Sequence, residues 1–332
     1  MNKLIAFLRL IRAGNLFMIG LTQYLIKIFI LDIRYIDETV LSNTLFFFLV
    51  LSTIMIAAGG YIINDIYDVN TDLINKKERV IIGRYISEHT AFFWYYALNL
   101  ISIILGGIIC YKIGKISFFI IFIYCIAGLW IYAKNMKKMF IVDNLHISFL
   151  TALSIINIAL FDLLGVLGKN KITHSHITDH ALFTIIMYYA LFAFLISFVR
   201  EIIKDIEDVE GDRVINAKTA IIFLGLKNVK IILILICTLI MSLIAYFQYI
   251  QYSFSLSTFE DKSGEIIKFI PPGTDKFSII YVGIIQIMIL LLIFNIFKAK
   301  RKKEFGKLSF LTKVIMFLGI LSIPLFFISN RL

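Results

Sequence analysis

Apolar residues in this chain gather into long unbroken runs separated by short polar joints, with neither the alternation of a half-buried strand nor the mixed faces of a soluble helix. Nine runs reach the roughly 17 to 25 residues that a membrane-crossing helix needs: 14–33, 44–63, 91–111, 115–133, 140–161, 181–200, 219–249, 277–297 and 309–328. Only Lys112 to Gly114 separate the third run from the fourth, which predicts a tight turn. No repeat of solenoid length and no Pro-rich or Gly/Ser-rich linker divides the chain. Residues 1–332 are therefore expected to form one all-α, multipass membrane bundle. Lys3, Arg9 and Arg12 ahead of the first run resemble the start of a signal peptide, but no small-x-small cleavage site follows and the run continues to Phe29. It reads as a retained first span.

Composition strengthens that picture. Soluble domains are about 45–50% apolar and 25% charged, whereas this chain is 60% apolar and 17% charged. A net charge of +11 would point to nucleic acid in a polar chain. Here the basic residues sit in the joints, so membrane topology accounts for them and no nucleic-acid partner is expected. With the N-terminus in the cytosol, about two thirds of the basic residues fall on the inner side, which places the C-terminus outside. Cys110, Cys125 and Cys237 lie inside apolar runs without metal-ligand spacing and read as buried and reduced.

Two polar stretches break the pattern in the same way. Asn64 to Asp72 follows the second run and Arg200 to Asp212 follows the sixth; the aspartates of each, Asp65, Asp68, Asp72 and Asp205, Asp208, Asp212, fall at i, i+3 and i+7. That spacing confines each trio to an arc of about 60° on one helical face. With Asp205 at zero, Glu201, Asp208 and Asp212 lie near ~320°, ~300° and ~340°, while Glu207 and Glu210 fall near ~200° and ~140°, off the stripe. The loop charges put both stretches on the cytosolic side, where they are expected to face each other across a cytosol-facing central cavity, and their shared spacing suggests an internal duplication.

Carboxylates at a membrane helix end are costly unless they hold a cation or pair with bases. Hard oxygen donors with open positions left for phosphate oxygens suit Mg²⁺ rather than zinc or copper, which implies a diphosphate substrate. Diphosphate leaving an allylic carbon carries negative charge that Mg²⁺ and nearby bases stabilise. Arg79, Lys137, Arg200, Arg213 and Lys218 lie on the expected side. The 31 Phe and 16 Tyr are suited to lining an apolar tunnel and shielding an allylic cation, although aromatic residues are common in any membrane bundle.

Other readings fit less well. A solvated acidic face explains one such stretch but not two of matching spacing on one side. Asp68, Asn70 and Asp72 mimic the first ligands of a calcium loop, yet Leu73 stands where Gly is needed and Arg79 where a bidentate Glu is needed. His174, His176 and His180, near Asp179, fall in an expected external loop and read as solvated. The run Lys298 to Lys307 reads as an anchor to anionic lipid, and the polar external connection from Tyr249 to Lys276 suggests no function. An ion or metal transporter would use the carboxylates as a permeation path, but it needs no diphosphate clamp, so Arg79, Lys137 and Arg213 favour an enzyme.

With these residues in place, the chain resembles the UbiA superfamily of intramembrane prenyltransferases, nine-helix bundles with an Asn-Asp-x-x-Asp-x-x-x-Asp motif and a second Asp-rich motif. Asn64, Asp65, Asp68 and Asp72 fit the first motif, and Asp205, Asp208 and Asp212 the second. Asn75, Arg79, Gly83 and Ser87 match the segment after the first motif, Tyr132 and Lys137 a Tyr-x-x-x-x-Lys element, and Lys218, Thr219 and Gly225 the segment after the second. Departures are Lys77 and Val80 where prolines are common, and Ala13 in an Arg-Pro-x-Asn element that leaves Arg12 and Asn15. The resemblance implies that the six aspartates are catalytic and bind Mg²⁺, and that Asn64, Arg79, Lys137, Arg200, Arg213 and Lys218 hold diphosphate. Asn15, Tyr132 and Glu201 are further candidates. It also implies transfer of a polyprenyl group, geranylgeranyl in the branch it looks most like, from its diphosphate to a lipid-soluble acceptor. In that branch, digeranylgeranylglyceryl-phosphate synthase, the acceptor is a prenylated glycerol phosphate; prenylation of a quinone ring precursor is the first alternative, and the haem- and chlorophyll-prenylating members of the superfamily stay open.

Overall fold

The computed structural model describes residues 2–32, 41–135, 139–163, 176–215, 217–255, 258–260, 266–268 and 273–328; of 79, 176–181, 254–255, 258–260, 266–268 and 327–328 it describes the backbone alone. A short α1 (Lys3–Leu10) leads into α2 (Ala13–Ile26), which continues as π-helical turns over Lys27–Asp32. There follow α3 (Asn43–Asn75), α4 (Glu88–Ile113), α5 (Phe119–Lys134), α6 (Val142–Asp162), α7 (His176–Val214) and α8 (Ala220–Ser255). A two-stranded antiparallel hairpin, β1 (Thr258–Glu260) and β2 (Ile266–Lys268), precedes α9 (Lys276–Lys298) and α10 (Lys302–Ile328). Among the described residues 9 helical spans are long and apolar enough to cross a membrane, the number expected from the runs.

Local chemistry sets the helix starts. The side chains of Ser42, Ser87 and Asp275 cap α3, α4 and α9 by accepting from the backbone N–H groups of Leu45, Thr90 and Ser278, satisfying donors that a helix start otherwise leaves orphaned. Gly114, in the left-handed region at φ 71°, ends α4 in the tight turn read from the sequence. Gly225 (φ 74°, ψ 164°) breaks α8 near its start.

Two helices outrun their apolar segments. α3 passes the expected end near residue 63 and stays helical to Asn75, and α7 passes residue 200 to reach Val214. Both acidic stretches therefore ride on continuous helix, and no kink or end occurs at Gly211. The outward faces of the bundle present Phe93, Leu100, Ile120, Leu235 and Ile280 in exposed positions, a surface suited to lipid and unsuited to water. At the bundle end away from the acidic stretches, Lys27 Nζ lies 2.6 Å from Asp162 Oδ2 and 3.2 Å from Asp32 Oδ1. Asp162 Oδ1 also accepts from the Leu41 N–H, so a lysine buried in a span is neutralised and its carboxylate partner satisfied.

Much of the Tyr249 to Lys276 connection lies outside the described residues, and so does His174. His176, Asp179 and His180 begin α7, at the end of that helix remote from its aspartates. Cys110 and Cys237 are buried as expected, whereas Cys125 is half-buried and lines the central cavity; all three are free thiols.

Candidate active site

The bundle encloses a cavity of about 1330 Å³, above the roughly 300–1,000 Å³ of ordinary small-molecule pockets. α7 lines it from Ile185 to Asp212, about 40 Å of helix at 1.5 Å per residue, more than the ~30 Å thickness of a bilayer core. One end is polar and strongly acidic. The rest is mainly apolar, walled by side chains such as Phe122, Ile155, Phe192, Phe247, Ile289 and Phe326.

All six predicted aspartates line the acidic end, and the two trios approach each other because the ends of α3 and α7 are strapped together. Asn75, the last residue of α3, donates from Nδ2 to the Asp208 carbonyl at 2.8 Å and accepts at Oδ1 from the Gly211 N–H at 2.9 Å. A Cβ at position 211 would collide with the Asn75 side chain, so the close approach of Asn75 to α7 requires glycine there. Lys76 adds a charged tie, its Nζ lying 2.7 Å and 2.9 Å from the two Asp208 carboxylate oxygens and 3.5 Å from Glu207 Oε1.

The remaining contacts give each carboxylate a place. Asn64 Nδ2 donates to Asp68 Oδ2 at 2.8 Å. Arg12 Nη2 donates to Asp65 Oδ1 at 2.9 Å, while its guanidinium lies 4.7 Å from the Tyr61 ring centroid. Asn15 Nδ2 donates to the Tyr61 hydroxyl at 3.1 Å. Asn144 Nδ2 donates to Asp205 Oδ2 at 2.8 Å. Among the described residues Arg12 and Ile141 are the non-glycine residues with positive φ, 51° and 59°. They occupy the N-caps of α2 and α6, and strain of this kind, on the order of 1–3 kcal/mol per residue, persists where surrounding structure enforces it. Burial opposes the charge of Arg12, but Asp65, Tyr61, Glu201 and Asp68 around it hold its pKa above the ordinary value.

The other expected residues divide. Asn15, Asn64, Tyr132, Arg200 and Glu201 line the cavity. Glu201 is already engaged, with Oε1 3.0 Å from Arg200 Nη1 and Oε2 2.6 Å from Lys204 Nζ. Arg213 and Lys218 are exposed and absent from the lining, because Arg213 sits about 80° from Asp205 around the helix and Lys218 follows the end of α7. Lys137 lies outside the described residues, and only the backbone of Arg79 is described, in a single 3₁₀ turn. Glu210 points away as expected, exposed and 3.5 Å from Lys302 Nζ. Glu207 does not: it is half-buried in the lining between Lys76 and Gly306 of α10, because neighbouring elements wrap around more of α7 than its stripe. Lys76, Lys204, Asp143, Asn144 and Lys313 also belong to the site and were not singled out from the sequence.

The donor set is one for a hard divalent cation. It offers carboxylates and amide oxygens, and the buried Oδ1 of Asn64 has no hydrogen-bond partner, an unused acceptor of the kind such a cation takes. Among the described residues no three His, Cys, Asp or Glu side chains form a ready-made metal cluster.

A membrane bundle with paired acidic stripes at the mouth of a long apolar cavity defines an intramembrane enzyme for an anionic substrate with an extended hydrocarbon tail. The chain belongs to the UbiA prenyltransferase family, whose profile matches residues 35–259. It is 37% identical over 199 residues to a digeranylgeranylglyceryl phosphate synthase of Saccharolobus solfataricus, covering 58% of this chain and 62% of that protein. It is 30% identical over 272 residues to the Sulfurisphaera tokodaii protein of the same name, covering 81% and 83%. In fold it is similar to a solved structure of digeranylgeranylglyceryl phosphate synthase, with TM-score 0.62, 22% identity and coverage of 99% and 100%. It is likewise similar to a UbiA homologue from Archaeoglobus fulgidus bound to GPP and Mg²⁺, with TM-score 0.55, 14% identity and coverage of 96% and 99%.

Proposed function

We propose that this protein transfers a geranylgeranyl group from its diphosphate to the free hydroxyl of a prenylglyceryl phosphate, with Mg²⁺ bound between the two aspartate motifs. Support comes above all from one arrangement: the two trios, tied by Asn75 and Lys76, meet at the mouth of a cavity large enough for two chain-bearing substrates. The names of the relatives and the metal and donor seen in the A. fulgidus protein favour this donor, acceptor and ion.

Asp65, Asp68, Asp72, Asp205, Asp208 and Asp212 would hold the ion with Asn64, and the ion would neutralise charge on the departing diphosphate. The apolar wall receives the donor's tail and excludes water, so that the allylic carbon meets the acceptor hydroxyl rather than solvent. Lys76 sets the separation of α3 from α7. In the reaction the C1–O bond to diphosphate breaks, an ether bond from C1 to the acceptor oxygen forms, and diphosphate and a proton leave. The cavity lining runs from Ile5 to Phe326, which favours a single domain. The excess of basic residues in the joints beside the acidic motifs favours a cytosolic N-terminus and a cytosolic mouth in the cell membrane.

The test is product identification from purified protein given Mg²⁺, labelled geranylgeranyl diphosphate and a panel of acceptors: prenylglyceryl phosphate, 4-hydroxybenzoate and dihydroxynaphthoate. The reading predicts an ether product with the glycerol phosphate. Turnover of an aromatic acceptor with none of the glycerol phosphate would reassign the acceptor.

A further inference from the structure

Lys313 stands on α10 well inside a membrane span and lines the cavity. A lysine at that depth ordinarily pairs with a carboxylate. Among the described residues it has no such partner; the charges acting on it are those of Arg200, Arg12 and Lys204, all positive. Arg200 and Lys204 share the buried carboxylate of Glu201, and the buried Arg200 Nε has no hydrogen-bond partner. Arg12, whose backbone is left-handed, also lines the cavity and pairs with Asp65. Three carboxylates, Glu201, Asp65 and Asp68, act on these four cations, which leaves a net positive charge in a low-dielectric wall.

We propose that Arg12, Arg200, Lys204 and Lys313 form a second anion site, beside the aspartate stripes, that holds the phosphate monoester of the acceptor lipid. A phosphate monoester carries about −1.5 to −2 at neutral pH, more than the single charge of an aromatic carboxylate, and so gains more from a cationic wall. Arg200 lies about 8 Å along α7 from Asp205 and about 12 Å from Asp208. A glycerol backbone anchored by its phosphate at the cluster would present its free hydroxyl between that anchor and a diphosphate at the stripes. This site rests on the prenylglyceryl phosphate reading, and it gives a physical basis for selecting a phosphorylated acceptor over the plain alcohol.

Binding without turnover separates the two ideas. In nanodiscs without donor or Mg²⁺, the affinity of the protein for geranylgeranylglyceryl phosphate is compared with that for geranylgeranylglycerol, with inorganic phosphate as competitor. The expected result is at least tenfold tighter binding of the phosphorylated lipid. Lys313→Gln and Arg200→Gln should each remove most of that preference without weakening the alcohol, and Lys313→Arg should retain it. Lys230→Gln, which removes an ammonium bound to the carbonyls of Phe297 and Ala299 away from the cavity, should change nothing. Retained alcohol affinity shows that a variant is folded. Equal binding of both lipids by the unaltered protein would overturn the site, as would a preference surviving both Gln substitutions. It would also fail if geranylgeranyl diphosphate, bound with Mg²⁺, lost as much affinity in these variants as the acceptor did, since the cluster would then serve the donor. If the phosphate preference follows the cluster but no ether product forms in the acceptor assay, the site stands and the acceptor reading falls.

Discussion

Asn for Asp at positions 68, 205 or 208 keeps the side chain's size and removes the anionic ligand. Each change should lower kcat by about 10²-fold or more, the scale of lost electrostatic stabilisation, measured at matched expression. Glu210→Gln should stay within about twofold of the unaltered enzyme, since Glu210 is exposed and faces Lys302. Equal losses at 205, 208 and 210 would mean that the segment acts through general acidity. At this scale the aspartates were legible because a spacing of three and four residues projects them from one face. Lys76, Asn144 and Lys204 were not, because their partners lie on other helices or on a neighbouring turn among many bases, and no local pattern announces them. Lys313 does carry a signal, a charge inside the apolar run 309–328, but a single charge there does not say which helices it faces. Glu207 shows the limit of the helical wheel, which gives direction but not what neighbouring elements place there.

For the elements, the contact between α3 and α7 decides whether the trios face each other. Gly211→Ala should lower both thermal stability and kcat, because the added Cβ collides with Asn75. Asn75→Ala should do so more mildly, with two hydrogen bonds lost at about 0.5–1.5 kcal/mol each; thermal unfolding in detergent alongside the transfer assay checks both. Far from the site, Asp162→Asn leaves Lys27 without its closest partner and should destabilise by about 3–5 kcal/mol, whereas the double change Lys27→Met with Asp162→Leu should recover much of that loss. Full stability of the single variant would show that Asp32 suffices to hold Lys27. The helices themselves were legible as apolar runs. Their ends were not, since α3 and α7 continue through polar residues that only packing between the two helices keeps helical.

On the scale of the whole molecule, positive-inside charge and the aspartate positions agree on one membrane face for both motifs. Asn70→Cys and Glu210→Cys, each exposed and placed in a chain with Cys110, Cys125 and Cys237 replaced, should react from the same side with an impermeant thiol reagent; reaction from opposite sides would reject the arrangement. The bundle, its class and a cavity between the acidic stripes could be read from nine runs and two stretches, but the cavity's volume and length could not, because they depend on which helix faces meet over long sequence separations. The central claim, that both motifs together hold one metal–diphosphate complex, is tested most directly by equilibrium binding of geranylgeranyl diphosphate to the purified protein with Mg²⁺ and after chelation. Binding should weaken by at least about 10²-fold on chelation, equivalent to roughly 2.7 kcal/mol, and Asp68→Asn and Asp208→Asn should each reproduce most of that loss in the presence of Mg²⁺. Affinity that ignores chelation, or that depends on the motif of one helix alone, would contradict the account.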